Sequence, residues 1–338
     1  MTGICPLLAT FSILKDYKVS KYKCVILDDY QNIALNIVDW SALDNVVDVE
    51  SLKTHISDQN ELLKRLNDAN IVIAMRERTP LSDEILQRLP NLKLIITTGM
   101  RNSSIDMVAC NRLGITVCGT QSSSQPPAEL TWGLLLALAR NIVPEANNVS
   151  LYEAWQRTIG TTLNGKTIGI IGLGKIGKQI AKFAKAFGMQ VYAWSPNLTL
   201  ERAAEENVNF IKNKSDILKI SDILTLHLVS SPSTQGVISL SDFSIMKSTA
   251  LLINTSRATL IEEGALLKAL EEKMIAGAAI DVYEDEPLKA ESAYRNCPNL
   301  LATPHLGYVT DTNYVTYYTQ AIENINSWMK KSPVRKLN

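Results

Sequence analysis

The chain has 338 residues, of which 46% are hydrophobic and 20% are charged. This composition is typical of a soluble globular protein with about two domains. Lysine plus arginine and aspartate plus glutamate number 34 each, so the formal net charge is zero. Without a basic excess, we expect neither nucleic acid nor an anionic membrane as a partner.

The five cysteines are scattered along the chain and form no CxxC pair, so their spacing predicts no metal site. An odd number of cysteines in a long chain favours free thiols in a reducing compartment, and we expect a cytoplasmic protein. An apolar stretch near the N-terminus is followed by lysines and not preceded by them, unlike a secretory signal. We interpret residues 1–21 as an extension before the first strand.

The first segment, residues 23–118, has the pattern of an α/β domain. Five short apolar runs read as strands: KCVIL, VVDVE, NIVIA, LKLIIT and GITVC. Stretches with helical periodicity, such as DQNELLKRLNDA and SDEILQRL, separate them. Strands that alternate with helices in this way predict a parallel sheet with helical crossovers.

A helix is predicted in SSSQPPAELTWGLLLALARNI, because serines can cap it, prolines suit its first turn and Glu129 lies early. Residues 130–139 are apolar on nearly all sides, so we expect this helix to be buried. The run is too short to span a bilayer.

The second segment begins at Lys166 and has the same alternation of strands and helices. Six runs read as strands: TIGIIG, QVYAW, VNFI, ILTLHLV, ALLIN and AGAAID. An amphipathic helix from Asp311 onward follows them.

The sequence GTTLNGKT, residues 160–167, matches the phosphate-loop pattern of nucleotide hydrolases. That motif requires a strand before it and a helix after it, so that backbone amides can hold phosphates. Here a polar, irregular stretch precedes the match and the strand TIGIIG follows it. We therefore reject the match as a coincidence.

The sequence GLGKIG, residues 172–177, directly follows that strand and opens a helix that leads to a second strand. This is the dinucleotide-binding arrangement. Gly172 permits the tight turn, Gly174 lets a pyrophosphate approach the backbone, and Gly177 lets helix and strand pack closely. Lys175 and Ile176 complete the turn.

An acidic residue should end the second strand of such a unit and bind the adenosine ribose. Ser195 stands in this place, and residues 192–200 contain no aspartate or glutamate. The nearest arginine that could bind a 2′-phosphate is Arg202. We expect NAD as the cofactor, with NADP as the open alternative.

Three later strand-like runs end in residues with suitable chemistry, namely Arg257, Glu286 and His305. Arg257 would orient the carboxylate or carbonyl of a 2-oxo acid through a forked contact. His305 would give a proton to the carbonyl oxygen, and Glu286 would stabilise the charged imidazole. Taken singly, Arg257 could be a surface charge and Glu286 part of a solvated acidic run.

Two other histidines have less informative surroundings. His227 ends a strand in an apolar run, so it either lines the cofactor crevice or belongs to the core. His55 lies in a polar stretch, which predicts a surface position.

The motifs GLGKIG, NTSR, DVYEDEP and TPHLG, in this order, closely resemble those of the D-isomer-specific 2-hydroxyacid dehydrogenases over residues 23–338. The resemblance implies Arg257, Glu286 and His305 as the catalytic trio. It also implies that Asp281, Thr255 and Gly307 lie near the nicotinamide.

The resemblance implies two Rossmann-like, doubly wound α/β domains. A flavodoxin-like substrate domain, residues 22–119, would be interrupted by a dinucleotide-binding domain, residues 120–306, and completed by residues 307–338. A homodimer through the second domain is the expectation.

The chain departs from the family in the first-domain loop that holds the substrate carboxylate. This loop is usually rich in glycine, and here it reads TTGMRN and contains Met100 and Arg101. Arg76 matches a position that helps bind substrate in phosphoglycerate dehydrogenases, so Arg76 and Arg101 favour a second anionic group on the substrate. Tyr308 replaces a glycine after the histidine and is expected to narrow the pocket mouth.

We expect a small 2-oxo or 2-hydroxy acid as the substrate: glyoxylate, hydroxypyruvate or a 3-phosphoglycerate-like acid. The alternative of another class is a non-catalytic NAD(H)-sensing protein of the corepressor kind.

Overall fold

A computed structural model describes residues 21–151 and 155–338, so the predicted N-terminal extension lies outside the described part of the chain, except for Lys21. The chain forms two compact units. The first contains the described residues up to Thr120 together with Tyr318–Asn338, and the second contains Gln121–Tyr317.

The division differs from the expected boundaries at one point, because residues 307–317 belong to the second unit. Asn313 explains this difference. Its side chain accepts a hydrogen bond from the Ser123 amide at 3.0 Å and donates one to the Tyr308 carbonyl at 3.2 Å. These contacts tie the segment that follows His305 to the start of the second unit.

The first unit contains a parallel five-stranded sheet with the strand order β2-β1-β3-β4-β5. This is the flavodoxin-like order of doubly wound folds, as the family resemblance implied. Its strands are β1 (Tyr22–Ile26), β2 (Val47–Ser51), β3 (Ile71–Ala74), β4 (Leu94–Thr97) and β5 (Thr116–Gly119). Its crossover helices are α1 (Gln59–Leu66), α2 (Asp83–Gln87) and α3 (Met107–Leu113).

Local signals delimit the helices of this unit. Asp58 caps α1 by accepting a hydrogen bond from the Glu61 amide at 2.8 Å, and Asp106 caps α3 through the Ala109 amide at 2.9 Å. Gly114 ends α3 with a φ of 69°, a conformation that glycine adopts without steric cost. The apolar faces of all three helices pack on one core with the sheet.

The end of the chain completes the first unit. The Leu337 amide donates to the Val117 carbonyl at 2.8 Å, and the Asn324 side chain donates to the Gly119 carbonyl at 2.9 Å. The Trp328 ring packs edge-on against Tyr22 with 5.4 Å between ring centroids. The C-terminal residues are therefore part of this unit's core.

The second unit contains a parallel seven-stranded sheet with the order β12-β11-β10-β9-β6-β7-β8. Its strands are β6 (Thr167–Ile171), β7 (Gln190–Trp194), β8 (Asn209–Phe210), β9 (Ile223–Leu226), β10 (Leu251–Asn254), β11 (Gly277–Ile280) and β12 (Leu300–Ala302). The first six correspond to the six predicted runs. The seventh, β12, is the short apolar run that leads into TPHLG.

Helices cover both faces of this sheet, which confirms the doubly wound α/β class. They are α4 (Gln125–Ala139), α5 (Ile142–Ser150), α6 (Lys175–Ala186), α7 (Leu200–Glu205), α8 (Lys214–Ile220), α9 (Leu240–Phe243) and α10 (Ala265–Glu271). One core lies between the sheet and α4 and α6, and a second lies beneath α8, α9 and α10. The last helix, α11 (Asp311–Met329), runs from the second unit into the first.

Helix α4 has prolines in its first turn and packs against α6, β10 and β11. Its residues Ala128, Leu134, Leu135 and Ala139 are buried, as the apolar sequence predicted. Along residues 21–151 and 155–338, no helix combines the length and apolar character that crossing a bilayer requires.

The rejected phosphate-loop match has no helix after it, because the chain enters β6 at Thr167. Residues 160–166 before that strand are loop and turn. The match therefore lacks the helix N-terminus that phosphate binding by this motif needs.

Candidate active site

The glycine turn joins β6 to α6 and depends on two close approaches. Gly172 has a φ of +105°, and a Cβ there would lie 2.7 Å from the carbonyl carbon of His227. A Cβ at Gly177 would lie 2.1 Å from the carbonyl oxygen of Gly172. No side chain fits at either position without moving backbone. The positive φ of Gly172 fits the tight turn predicted there, and the short distance at Gly177 fits its predicted role in packing.

The third glycine, Gly174, has a different environment. Apart from atoms of Gly174 itself and of the residues next to it in the chain, no atom of the described chain lies within 4 Å of the place that its Cβ would occupy. The twelve-residue helix α6 begins at Lys175, so unpaired amides and the positive end of the helix dipole lie at this open place. The space and the donors fit a pyrophosphate, which Gly172, Gly174, Lys175, Ile176 and Gly177 would hold.

Ser195 follows β7 directly and is half-buried. The Arg202 guanidinium donates to the Asn197 carbonyl at 3.0 Å, which brings a cation to the turn after Ser195. In many NAD-binding units an acidic residue in this turn binds the ribose and repels a 2′-phosphate. Residues 192–200 contain no carboxylate, and the turn has instead the Ser195 hydroxyl and the nearby Arg202 cation.

His227 follows β9 and lies beside the glycine turn, and its backbone amide donates to the Ile171 carbonyl at 2.8 Å. Its Nε2 is 2.8 Å from the Thr225 hydroxyl. Its Nδ1 is buried and has no hydrogen-bond partner among the residues that the structure describes. Burial lowers the pKa of His227 to about 3, so its ring is neutral at pH 7. A buried ring nitrogen without a partner is a place that a bound polar group can satisfy.

Asp281 follows β11 and is fully buried. Its Oδ1 accepts hydrogen bonds from the Thr303 hydroxyl at 2.6 Å and the Leu306 amide at 2.7 Å. Its Oδ2 accepts one from the Gly307 amide at 2.8 Å. Burial raises the pKa of the Asp281 carboxyl above its ordinary value, although these hydrogen bonds oppose the shift. Asp281 thus fixes the backbone on both sides of His305.

His305 follows β12 and adopts a φ of +54°, an uncommon conformation for a residue other than glycine. Its Nδ1 lies 2.6 Å from Oε2 of Glu286, and both side chains are mostly buried. The other oxygen of Glu286 accepts from the Tyr283 amide at 3.1 Å. This arrangement fixes the orientation of the ring and leaves Nε2 on the side away from the carboxylate.

Arg257 follows β10 in the loop that begins at Asn254. The Asn254 side chain donates to the Arg257 carbonyl at 2.9 Å, and the Ser256 hydroxyl donates to the Leu226 carbonyl at 2.9 Å. Thr255 contacts Thr131 of α4 through their hydroxyls at 2.6 Å. The loop that carries Arg257 is therefore held to β9 and α4.

Strands β10, β11 and β12 are neighbours in the sheet. The segments that follow them contain Arg257, Glu286 and His305 respectively. Carboxyl ends of parallel strands are where ligands bind in open α/β sheets. The structure thus places the three predicted residues along one edge of the sheet, in chain order.

The predicted substrate residues of the first unit, Arg76, Met100 and Arg101, follow β3 and β4, which are neighbours. Arg76 has a φ of +52°, and its guanidinium donates to the Thr98 carbonyl at 3.3 Å. A Cβ at Gly99 would lie 2.4 Å from this guanidinium, so the glycine makes room for the arginine. Met100 and Arg101 are exposed.

Two tyrosines support His305: Tyr283, which the sequence did not assign to the site, and Tyr308, which was expected to narrow the pocket mouth. The Tyr283 hydroxyl donates to the Thr303 carbonyl at 2.8 Å and so links the segments after β11 and β12. Tyr308 is buried, and its ring lies edge-on to the His305 ring with 5.5 Å between centroids. It also stacks on Tyr314 at 6.5 Å. In the sequence, only the position of Tyr283 within DVYEDEP and that of Tyr308 directly after TPHLG indicated that these tyrosines lie near the site.

The chain is similar to proteins of known family. Residues 132–307 match the family model of the D-isomer specific 2-hydroxyacid dehydrogenase, NAD binding domain. A D-3-phosphoglycerate dehydrogenase from Methanocaldococcus jannaschii is 36% identical over 292 residues, which cover 86% of this chain and 54% of that protein. A glyoxylate reductase from Aeropyrum pernix is 36% identical over 251 residues, covering 72% of this chain and 75% of that protein.

Among solved structures, a phosphoglycerate oxidoreductase from Vibrio cholerae O395 is 38% identical, with a TM-score of 0.87 over 92% of this chain and 99% of that chain. The chain spans about half the length of the D-3-phosphoglycerate dehydrogenases that it matches in M. jannaschii and Synechocystis, 54% and 55%. The family model confirms the expected NAD cofactor. The chain belongs to the D-isomer specific 2-hydroxyacid dehydrogenase family.

Proposed function

We propose that the protein is an NAD-dependent D-2-hydroxyacid dehydrogenase that interconverts a small 2-oxo acid and its 2-hydroxy acid. The observation that carries this proposal is the 2.6 Å contact between His305 Nδ1 and Glu286 Oε2. Glu286 follows β11 and His305 follows β12, in the same parallel sheet whose strand β6 leads into the glycine turn. A proton donor and a dinucleotide cradle on one sheet are what reduction of a carbonyl group by hydride transfer requires.

In the proposed reduction, His305 donates a proton from Nε2 to the C2 oxygen of the substrate. Glu286 stabilises the protonated imidazole and keeps its Nε2 directed away from the carboxylate. Arg257 orients the substrate through its forked guanidinium. When bound, the reduced cofactor NADH would supply the hydride for C2 and leave as NAD+. In the reverse direction His305 accepts the proton of the hydroxyl group.

The proposed cofactor contacts are those of the glycine turn and of the strand ends around it. Ser195 is proposed to contact the adenosine ribose, and its turn leaves use of NADP open. The other residues proposed to contact the cofactor are Gly172, Gly174, Lys175, Ile176, Gly177, His227, Thr255, Asp281 and Gly307. Three features support this assignment: the open space at Gly174, the buried Nδ1 of His227 that has no partner within the described chain, and the buried Asp281.

The proposed substrate is glyoxylate, hydroxypyruvate or a 3-phosphoglycerate-like acid. Relatives named for phosphoglycerate and for glyoxylate support this class. Arg76 and Arg101, at the carboxyl ends of β3 and β4, support a second anionic group beyond one carboxylate. Met100 is the third proposed substrate residue.

We further propose a homodimer formed through the second unit. Apolar side chains on α5 and in the segment after it are exposed, among them Trp155 at 78% and Ile159 at 98%. Leu151 and Val149 are also exposed. A second copy of this chain would cover such a patch, which is unusual on a monomer. The free thiols of the described cysteines support a cytoplasmic location.

The test is an absorbance assay with purified protein, NADH or NADPH, and one of four acids: glyoxylate, hydroxypyruvate, pyruvate or phosphohydroxypyruvate. We expect loss of the reduced nicotinamide signal with at least one acid. Cofactor binding without turnover of any of these acids would contradict the proposal and favour the NAD(H)-sensing alternative.

A further inference from the structure

Asp28 lies at the carboxyl end of β1 in the first unit and has two unusual properties. Only 3% of the residue is exposed, and its backbone has a φ of +58°. A left-handed conformation in a residue other than glycine costs free energy and persists when surrounding contacts hold it. Buried carboxylates likewise need hydrogen-bond donors.

Three side chains supply those donors, and each comes from a different segment. His55 Nδ1 lies 2.9 Å from Oδ1 of Asp28, and the Tyr30 hydroxyl donates to the same oxygen at 3.3 Å. The Thr79 hydroxyl donates to Oδ2 at 2.6 Å. The three donors follow β2, β1 and β3 respectively. The surface position predicted for His55 is therefore wrong, because the ring packs onto a carboxylate 27 residues earlier in the chain.

The hydrogen bonds of Asp28 involve the segment that contains Arg76. We call residues 76–79, which follow β3 after Met75, the arginine loop. Thr79 ends this loop and binds Asp28 directly. Arg78 is buried, and its guanidinium lies 5.2 Å from the ring centroid of Tyr30, which itself binds Asp28. Asp28 thus holds the far end of the loop through two routes.

The near end of the arginine loop is held separately. The Arg76 amide donates to the Thr98 hydroxyl at 2.9 Å, and the Asn102 side chain donates to the Arg76 carbonyl at 2.5 Å. The near end of the arginine loop is therefore hydrogen-bonded to the segment after β4, and its far end is hydrogen-bonded to Asp28. In the order β2-β1-β3, the segments after β1 and β3 flank the point where the strand order reverses. Ligands of doubly wound sheets bind at such a point.

We propose that Asp28 and His55 are positioning residues that hold the arginine loop in the conformation in which it binds the substrate anion. This inference rests on the proposed function, because it takes Arg76 as a substrate residue. His55 contributes as a hydrogen-bond donor through Nδ1, and its protonation is not required. Both residues belong to the first unit, whereas the proposed cofactor residues all belong to the second.

The variants follow from this chemistry. Asp28→Asn keeps the volume but replaces one of the two acceptor oxygens by an NH2 donor, which opposes either Thr79 or the pair of His55 and Tyr30. His55→Leu removes the donor. His55→Asn is the matched control, because the amide nitrogen of asparagine takes the place of Nδ1 and can still donate.

The first measurement is hydrogen exchange followed by mass spectrometry on the full chain, which needs no turnover. In Asp28→Asn and His55→Leu we expect the arginine loop to exchange about tenfold faster, with strands β4 and β9 unchanged and with His55→Asn close to wild type. Unchanged exchange of the arginine loop in both variants would overturn the inference.

The second measurement is kinetic. For the acid that wild type reduces, we expect a KM about tenfold higher in Asp28→Asn and His55→Leu, with similar kcat and NADH affinity. An unchanged KM beside faster exchange would also overturn the inference. If wild type binds NADH but reduces no acid, the proposed function fails, and the exchange experiment still decides whether the two residues hold the loop.

Discussion

His305 is held from both directions along the chain. Thr303, two residues before it, accepts hydrogen bonds at its carbonyl from the Tyr283 hydroxyl and from the His305 amide, at 2.8 and 2.9 Å. Asp281 accepts hydrogen bonds from the amides of Leu306 and Gly307, the two residues that follow His305. These contacts maintain the positive φ of His305 and therefore the direction of its ring.

Replacing Tyr283 by phenylalanine removes one hydroxyl from this arrangement. A single hydrogen bond contributes about 1 kcal/mol, so we expect kcat to fall about fivefold while NADH affinity is unchanged. Steady-state kinetics and NADH titration measure the two quantities. The matched control is Tyr294→Phe, because the Tyr294 hydroxyl binds Glu284 and not the segment of His305. Equal effects of the two variants on kcat would contradict a positioning role for Tyr283.

Ser195 is the residue at which cofactor preference can be tested. In Ser195→Asp the new carboxylate would bind the ribose hydroxyls and repel a 2′-phosphate, so we expect the ratio of kcat/KM for NADH over NADPH to rise about tenfold or more. Ser195→Asn provides an uncharged control of similar size. Unchanged use of NADPH in the aspartate variant would mean that Ser195 does not contact the ribose.

Some residues of the site could be recognised from the sequence because their motifs are local. Arg257, Glu286 and His305 each stand in a short motif directly after a strand-like run. His55 gave no such signal, since its partner Asp28 is brought to it only when β1 and β2 pair. The helix that contains Tyr314 was predicted, but the stacking of Tyr308 on Tyr314 is a tertiary contact that the sequence pattern does not reveal.

At the scale of elements, the turn between β6 and α6 shows that the three glycines of GLGKIG have different tasks. Gly172 and Gly177 face backbone atoms, whereas Gly174 faces open space within the described chain. The sequence predicted this division of roles from the motif alone. The different roles of the three glycines follow from the backbone geometry of the whole turn.

Two alanine variants separate these tasks. A Cβ at Gly177 meets a backbone oxygen at 2.1 Å. We therefore expect Gly177→Ala to cost about 2 kcal/mol, a loss of roughly 4–8 °C in Tm for a unit of this size. Gly174→Ala should fold with an unchanged Tm but bind NADH at least about tenfold more weakly, because its methyl group enters the proposed pyrophosphate place. Thermal unfolding and NADH titration provide the readings. Normal NADH binding by Gly174→Ala would contradict the assignment of the turn.

The strands themselves were predictable because each is a short apolar run between helical stretches, and every predicted run became a strand of a parallel sheet. The seventh strand of the second sheet, β12, has only three residues, and one of them, Ala302, is exposed. So short a run becomes a strand because it pairs with β11, which is a tertiary effect.

At the scale of the molecule, the return of the C-terminal segment to the first unit could be expected from the family resemblance but not from local pattern. The contacts that carry it join residues more than 200 positions apart, such as Asn324 with Gly119 and Asn338 with Ile115. No periodicity in the sequence reports such contacts. The compact units divide at Tyr318, whereas the expected boundary of the returning segment was residue 307.

The proposed homodimer predicts a specific result in solution. Replacing Trp155 and Ile159 together by glutamate places two charges on the exposed apolar patch, and we expect a monomer where wild type is a dimer. Size-exclusion chromatography with light scattering measures the mass. Val108→Glu is the control, because Val108 is equally exposed at 80% but lies in the first unit. A monomeric wild type, or a dimeric double variant, would contradict the proposed interface.

The most direct measurement of the central claim compares wild type with His305→Ala for kcat and for NADH affinity in the same preparation. We predict that kcat falls by about 10²–10⁴, because the proton donor is lost, while the dissociation constant of NADH stays within about twofold, because the glycine turn is intact. Near-normal turnover by the variant would contradict the assignment of His305 as the acid and base of the reaction.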